Sequence, residues 1–164
     1  MSDVDFYVGA TLQNEILGVP LGASPEDWEA SLGGDFLDDV RKSRMRRDYG
    51  LVEVAFVKRD GVWESMTASL QIHRMARGLE DIVPPPLTHT YGAFAELMPF
   101  DLFHEVLQGQ GGSLEEVADP STGGFRQFRE PLTGSCLYVT DESSPGGMQP
   151  GSLWSIVLSR GGNP

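Results

Sequence analysis

Apolar and polar positions alternate most clearly over Tyr49 to Val57, where Val52, Val54 and Phe56 are separated by Glu53 and Ala55. A period of two places the apolar set on one side of a pleated strand. Asp60-Gly61 follows, a dipeptide suited to the positive φ angles of a two-residue hairpin turn, and apolar positions resume from Val62-Trp63 to Leu70 and Ile72. The pattern predicts antiparallel strands around 48–58 and 62–73, with His73 at an outward strand position. Upstream, Gly22-Ala23-Ser24-Pro25-Glu26-Asp27-Trp28-Glu29-Ala30-Ser31-Leu32-Gly33 has the features of a short helix. Ser24 can accept from the free amides of the first turn, Pro25 presets φ at the first helical position, and Glu26 and Asp27 suit the positive helix end. Gly33 can end it, and Trp28 and Leu32, four apart, form its buried stripe.

The second half repeats this order in outline. Gly112-Ser113-Leu114-Glu115-Glu116-Val117 parallels the helix start, with Glu115-Glu116 read as part of its cap. Cys136-Leu137-Tyr138-Val139-Thr140 parallels the first strand, and Ser155-Ile156-Val157-Leu158-Ser159-Arg160 parallels Ser69-Leu70-Gln71-Ile72-His73-Arg74. A degenerate repeat of residues 22–74 and 112–160 is the resulting expectation, with strands around 135–141 and 152–159. Between the units, Val83-Pro84-Pro85-Pro86 reads as an extended connector, and Thr90 to Gly111 as a helix interrupted by Pro99 near Met98. The expected fold class is α+β: two αββ-like units forming one antiparallel sheet with helices packed on one face, within a single domain of residues 1–164. Its core should hold Trp28, Leu32, Val52, Val54, Phe56, Leu70, Ile72, Phe103, Val106, Leu137, Val139 and Ile156.

Charge changes the functional picture more than the fold. Twelve basic against twenty-four acidic residues give a net charge of −12, which opposes a sequence-independent grip on nucleic acid or anionic lipid. Residues 1–39 contain nine acids and no base, while 40–79 contain nine bases and four acids. The run Arg41-Lys42-Ser43-Arg44-Met45-Arg46-Arg47 lacks interleaved aromatics for base stacking, and the reading preferred for it is internal ion pairing with the acidic block before it. The N-terminus carries acids where a signal peptide needs positive charge, so a cytoplasmic location is expected.

Catalytic patterns are not legible. Gly134-Ser135-Cys136 leads into an apolar strand rather than a nucleophile elbow, and Cys136 reads as a small buried apolar residue. Gly109-Gln110-Gly111-Gly112 lacks the Lys-Ser/Thr of a phosphate loop, and His73, His89, His104 and Cys136 have no zinc spacing. No catalytic residue, metal ligand or cofactor is therefore expected.

The segment Leu21 to Gly33, followed by Asp48-Tyr49-Gly50-Leu51-Val52-Glu53, resembles in outline the small acidic immunity proteins of actinobacterial polymorphic toxin systems. That resemblance implies a non-catalytic binding protein that neutralises a cognate toxin domain. A protein-interaction or regulatory module unrelated to toxins is the alternative, and a small enzyme or ligand-binding protein a further one. The helix motif is also similar to that of small outer-membrane assembly lipoproteins, whose lipid-bearing cysteine and signal this sequence lacks. The expected partner is a basic protein domain. Glu26, Asp27, Asp35, Asp38 and Asp39 are the candidate partner-binding residues, because no base within their block neutralises them.

Overall fold

Ser2 and Asp5 start the first helix. The Ser2 amide donates to Asp5 Oδ2 at 2.8 Å in a capping box, and α1 runs Asp3–Gln13 in this computed structural model, which describes residues 1–78, 81–118, 123–144, 146 and 148–160. Asn14 ends α1 in the left-handed region, and its side-chain amide donates to the Ser159 carbonyl at 3.0 Å, fastening the helix to the last strand. A small hairpin follows, β1 (Glu15–Ile16) and β2 (Val19–Pro20). The helix read from Ser24 and Pro25 is present as α2 (Pro25–Leu32), with the Asp27 amide donating to Ser24 Oγ at 3.2 Å. Trp28 and Leu32 are its buried side chains, together with Pro25.

Eight strands form one antiparallel sheet. They are β3 (Leu37–Arg41), β4 (Arg44–Asp48), β5 (Val52–Arg59), β6 (Val62–Leu70), β7 (Glu115–Glu116), β8 (Phe125–Arg129), β9 (Cys136–Thr140) and β10 (Leu153–Ser159), in the order β3-β4-β5-β6-β10-β9-β8-β7. Each half of the chain thus contributes a four-stranded meander, and the two meet through their last strands. Leu70 lies directly opposite Ile156 at that junction. These two residues occupy corresponding places in Ser69-Leu70-Gln71-Ile72 and Ser155-Ile156-Val157-Leu158, as they would on a pseudo-twofold axis.

Each unit therefore has two more strands than an αββ order provides. The charged stretch around 41–47 contains a hairpin, in which Asp38 opposes Arg47 and Asp39 opposes Arg46. Opposite charges across a strand pair replace the apolar contacts that would have marked it. Glu115-Glu116 caps no helix: these residues form β7, where Glu116 receives a two-point ion pair from Arg126 at 2.8 and 3.0 Å. The proline run is likewise not only a connector, because Pro85 and Pro86 open α3 (Pro85–Tyr91), where their fixed φ and missing N–H cost little. Pro99 precedes α4 (Phe100–Gly109), and residues 92–99 are not helical. His73 lies beyond the end of β6, in a 3-10 turn spanning Ile72–Arg77.

The helices pack together over one face of the sheet, α1 reaching β10 and α2 reaching β6. Val54, Phe56, Leu70, Leu137, Val139 and Ile156 point into that layer and are buried. Of the expected core residues, only Val106 is less than fully buried, packing at its margin. Alternate positions face away from the helices and form an open face, including Glu53, Ala55 and Val57 on β5.

One turn fixes the rim of this core. Gly50 has φ of +99°, and a Cβ built there would stand 2.9 Å from the Ile82 Cα and closer still to its carbonyl oxygen. The same carbonyl accepts from the Leu51 amide at 2.8 Å. Gly50→Ala should accordingly lower stability by at least about 2 kcal/mol, combining an unfavourable φ with a backbone collision. Chemical denaturation would measure it, and a loss below about 0.5 kcal/mol would show that the turn can relax.

Candidate partner-binding surface

Asp38 and Arg47 face each other across β3 and β4 on the side covered by the helices, at its rim. Arg47 is the buried cation here, with a side chain only 7% exposed. Its Nε and Nη2 donate to the two Asp38 carboxylate oxygens at 2.9 and 3.2 Å, and Nη1 donates to the Pro25 carbonyl at 2.9 Å and to the Tyr49 hydroxyl at 3.3 Å. The guanidinium also lies 3.7 Å from the centre of the Phe36 ring. Desolvation pushes the Arg47 pKa down, but the bonds to Asp38 and Tyr49 outweigh it and hold the pKa above its ordinary value. One side chain thus ties the start of α2, the 33–36 link and the edge strand into a single corner.

The five candidate carboxylates do different work in this corner. Asp27 belongs to the α2 capping box, and Asp38 is held by Arg47. Asp39 turns to the open face with a long contact of 3.4 Å to Arg41. Glu26 and Asp35 are exposed and make no hydrogen bond or ion pair among the described residues. The absence of bases within residues 1–39 therefore did not leave all five unneutralised, because β4 supplies Arg47 across the sheet. The preferred reading of the basic run as an internal partner for the acidic block holds for Arg47 with Asp38 and Arg41 with Asp39.

β3 is an edge strand, and all five of its residues are exposed. Leu37 is 78% and Val40 57% exposed, leaving two large apolar side chains in solvent beside the carboxylates. Among the described residues its outer backbone groups have no neighbouring strand.

The remaining chemistry-bearing residues lie elsewhere. Cys136 is half-buried rather than enclosed, with its sulfur 3.8 Å from the Gln127 side-chain nitrogen. His104 stacks on Phe100 at 5.4 Å, and His89 is exposed. His73 stacks flat on Trp154, ring centres 4.3 Å apart, with Nδ1 3.3 Å from the Trp154 carbonyl. No group of three or more His, Cys, Asp or Glu among the described residues is arranged to hold a metal ion.

Burial lowers the pKa of His73 below its ordinary 6.5, helped by Arg74 and Arg77 and opposed by the Trp154 carbonyl and Glu53. In the folded protein this ring resists a proton that the unfolded chain would accept. Stability is therefore fully retained above pH 6.5 and falls as pH drops below it. His73→Phe should keep the stacking and remove this part of the acid-side loss; parallel melts at pH 7.5 and 5.5 would show the same loss in both proteins if His73 were not responsible.

The fold and this corner define an α+β protein with an open sheet face and an exposed acidic edge. Comparison of the chain with protein-family models, curated proteins and solved structures finds no significant match.

Proposed function

We propose that this is a non-catalytic cytoplasmic binding protein that neutralises a basic toxin domain by contact through the β3 corner. The observation that carries the reading is the edge itself: a strand with free backbone groups, the exposed Leu37 and Val40, and the carboxylates of Glu26, Asp35 and Asp39 around it. An added strand would gain main-chain hydrogen bonds from β3, while Leu37 and Val40 supply the apolar anchors that interfaces need. The carboxylates attract a cationic cleft before contact and can stand where its anionic substrate would bind. Natural edge strands are commonly blunted by charge, and Asp38, Asp39 and Arg41 serve that end on β3 as well. Leu37 and Val40 do not, since apolar side chains invite pairing.

The resemblance of residues 18–74 to immunity proteins names the kind of partner. The test is co-expression with the C-terminal domain of the protein encoded beside its gene. Growth should be arrested by that domain alone and restored by this chain. Arrest that persists with both proteins soluble, or a neighbouring gene with no toxic product, would overturn the reading.

A further inference from the structure

The open face of β3 to β6 contains a cleft that the partner-binding corner does not explain. Two rows of side chains cross these strands in register: Asp39, Arg46, Ala55 and Thr67 in one, and Arg41, Arg44, Val57 and Glu64 in the other. At the register shift after Ala55, Met66 is the additional residue on β6. With the exception of Glu64, these residues and Met66 border a cleft of about 410 Å3, which falls among the volumes typical of small-molecule sites. Three gaps between four strands give it a length of roughly 14 Å. Ala55, Val57 and Met66 make a half-buried apolar floor, and three exposed arginines stand at one end.

Stability does not account for those arginines. Arg41 lies directly opposite Arg44, and like charges in that position repel. Arg44 and Arg46 make no hydrogen bond or ion pair among the described residues, although the chain has twenty-four carboxylates available. Of the two acids bordering the rows, Asp39 makes only the long contact to Arg41, and Glu64 is held by Arg160 at 2.7 Å. Three guanidinium groups beside one weakly engaged carboxylate leave a local positive charge on a protein of net charge −12. Guanidinium forks match the paired oxygens of carboxylates and phosphates, and an apolar floor matches an aliphatic or aromatic body.

We propose that this cleft binds a small amphipathic anion, with its oxyanion head at Arg41, Arg44 and Arg46 and its apolar body over Ala55, Val57 and Met66. Asp39 and Arg41 of β3 border this cleft as well, but the residues tested below, Arg44, Arg46 and Met66, lie outside the β3 corner, so failure of one site is distinguishable from failure of the other.

Titration of the 15N-labelled protein with octanoate, octyl phosphate, octanol and acetate tests it. Octanoate or octyl phosphate should shift the amides of Ala55, Val57 and Thr67 saturably, and comparison of the two separates a carboxylate from a phosphate ligand. Octanol and acetate should bind at least tenfold more weakly, since each supplies only one half of the recognition. Arg44→Gln with Arg46→Gln should weaken the better anion at least tenfold without lowering the melting temperature, because it relieves the repulsion between Arg41 and Arg44. Met66→Glu should weaken it as well, by charging the floor. Equal affinity for octanol, shifts centred elsewhere, no saturable binding, or full binding by the arginine variant would each overturn the assignment.

Discussion

Arg47→Ala should lower folding stability by about 2–3 kcal/mol, the scale of losing charge-assisted hydrogen bonds around a buried guanidinium whose Asp38 partner stays partly solvated. The change strips Asp38 of its two-point partner, frees the Pro25 carbonyl and removes the cation packed on Phe36. Arg47→Lys should recover only part of this, because an ammonium cannot span both carboxylate oxygens and the Pro25 carbonyl together. Urea denaturation would read the loss as a lower midpoint with little change in slope. A loss under about 1 kcal/mol would show that the corner is held by its neighbours and not by Arg47.

Trp28→Ala should cost more, about 3–5 kcal/mol, through the cavity left by a wholly buried side chain between α2 and the sheet. Trp28→Phe separates size from polarity. The indole N–H is buried without a hydrogen-bond partner among the described residues, so phenylalanine removes an unsatisfied donor while keeping most of the apolar volume. It should cost far less than alanine, about 1 kcal/mol. Equal losses for the two variants would mean that the full indole shape is required.

Local signals account for what was legible in the sequence. Ser24, Pro25 and Gly33 set both ends of α2, and Asp60-Gly61 turns β5 into β6 with φ of +50° and +78°, so neither element needed knowledge of distant contacts. β3 and β4 were harder to read because their side chains are mainly charged, and their pairing depends on a register that only the folded sheet defines. The segment at Gly112 had the glycine and acids of a helix start, but Glu116 found Arg126 across β8 and the residues extended. For the candidate site, the acidic block was visible as composition, while its division into carboxylates held in the fold, Asp27 and Asp38, and those loosely held or unpaired was not. The signal for Arg47 was slight: Met45 and Arg47 share a face by alternation, opposite Phe56 and Val54, which places an arginine on the core side.

Steering of a basic partner is proposed to fall to Glu26 and Asp35, which are unpaired among the described residues, and to Asp39, which makes only a long contact to Arg41. Glu26→Gln, Asp35→Asn and Asp39→Asn together leave the Asp27 cap and the Asp38–Arg47 pair intact, so the fold should melt at an unchanged temperature. Association of this triple variant with the proposed toxin domain should be measured by stopped flow at low and high salt beside the unaltered chain. Slower association at low salt, by about tenfold, and a shallower salt dependence are the expected result. An unchanged rate at both salt concentrations would contradict the account.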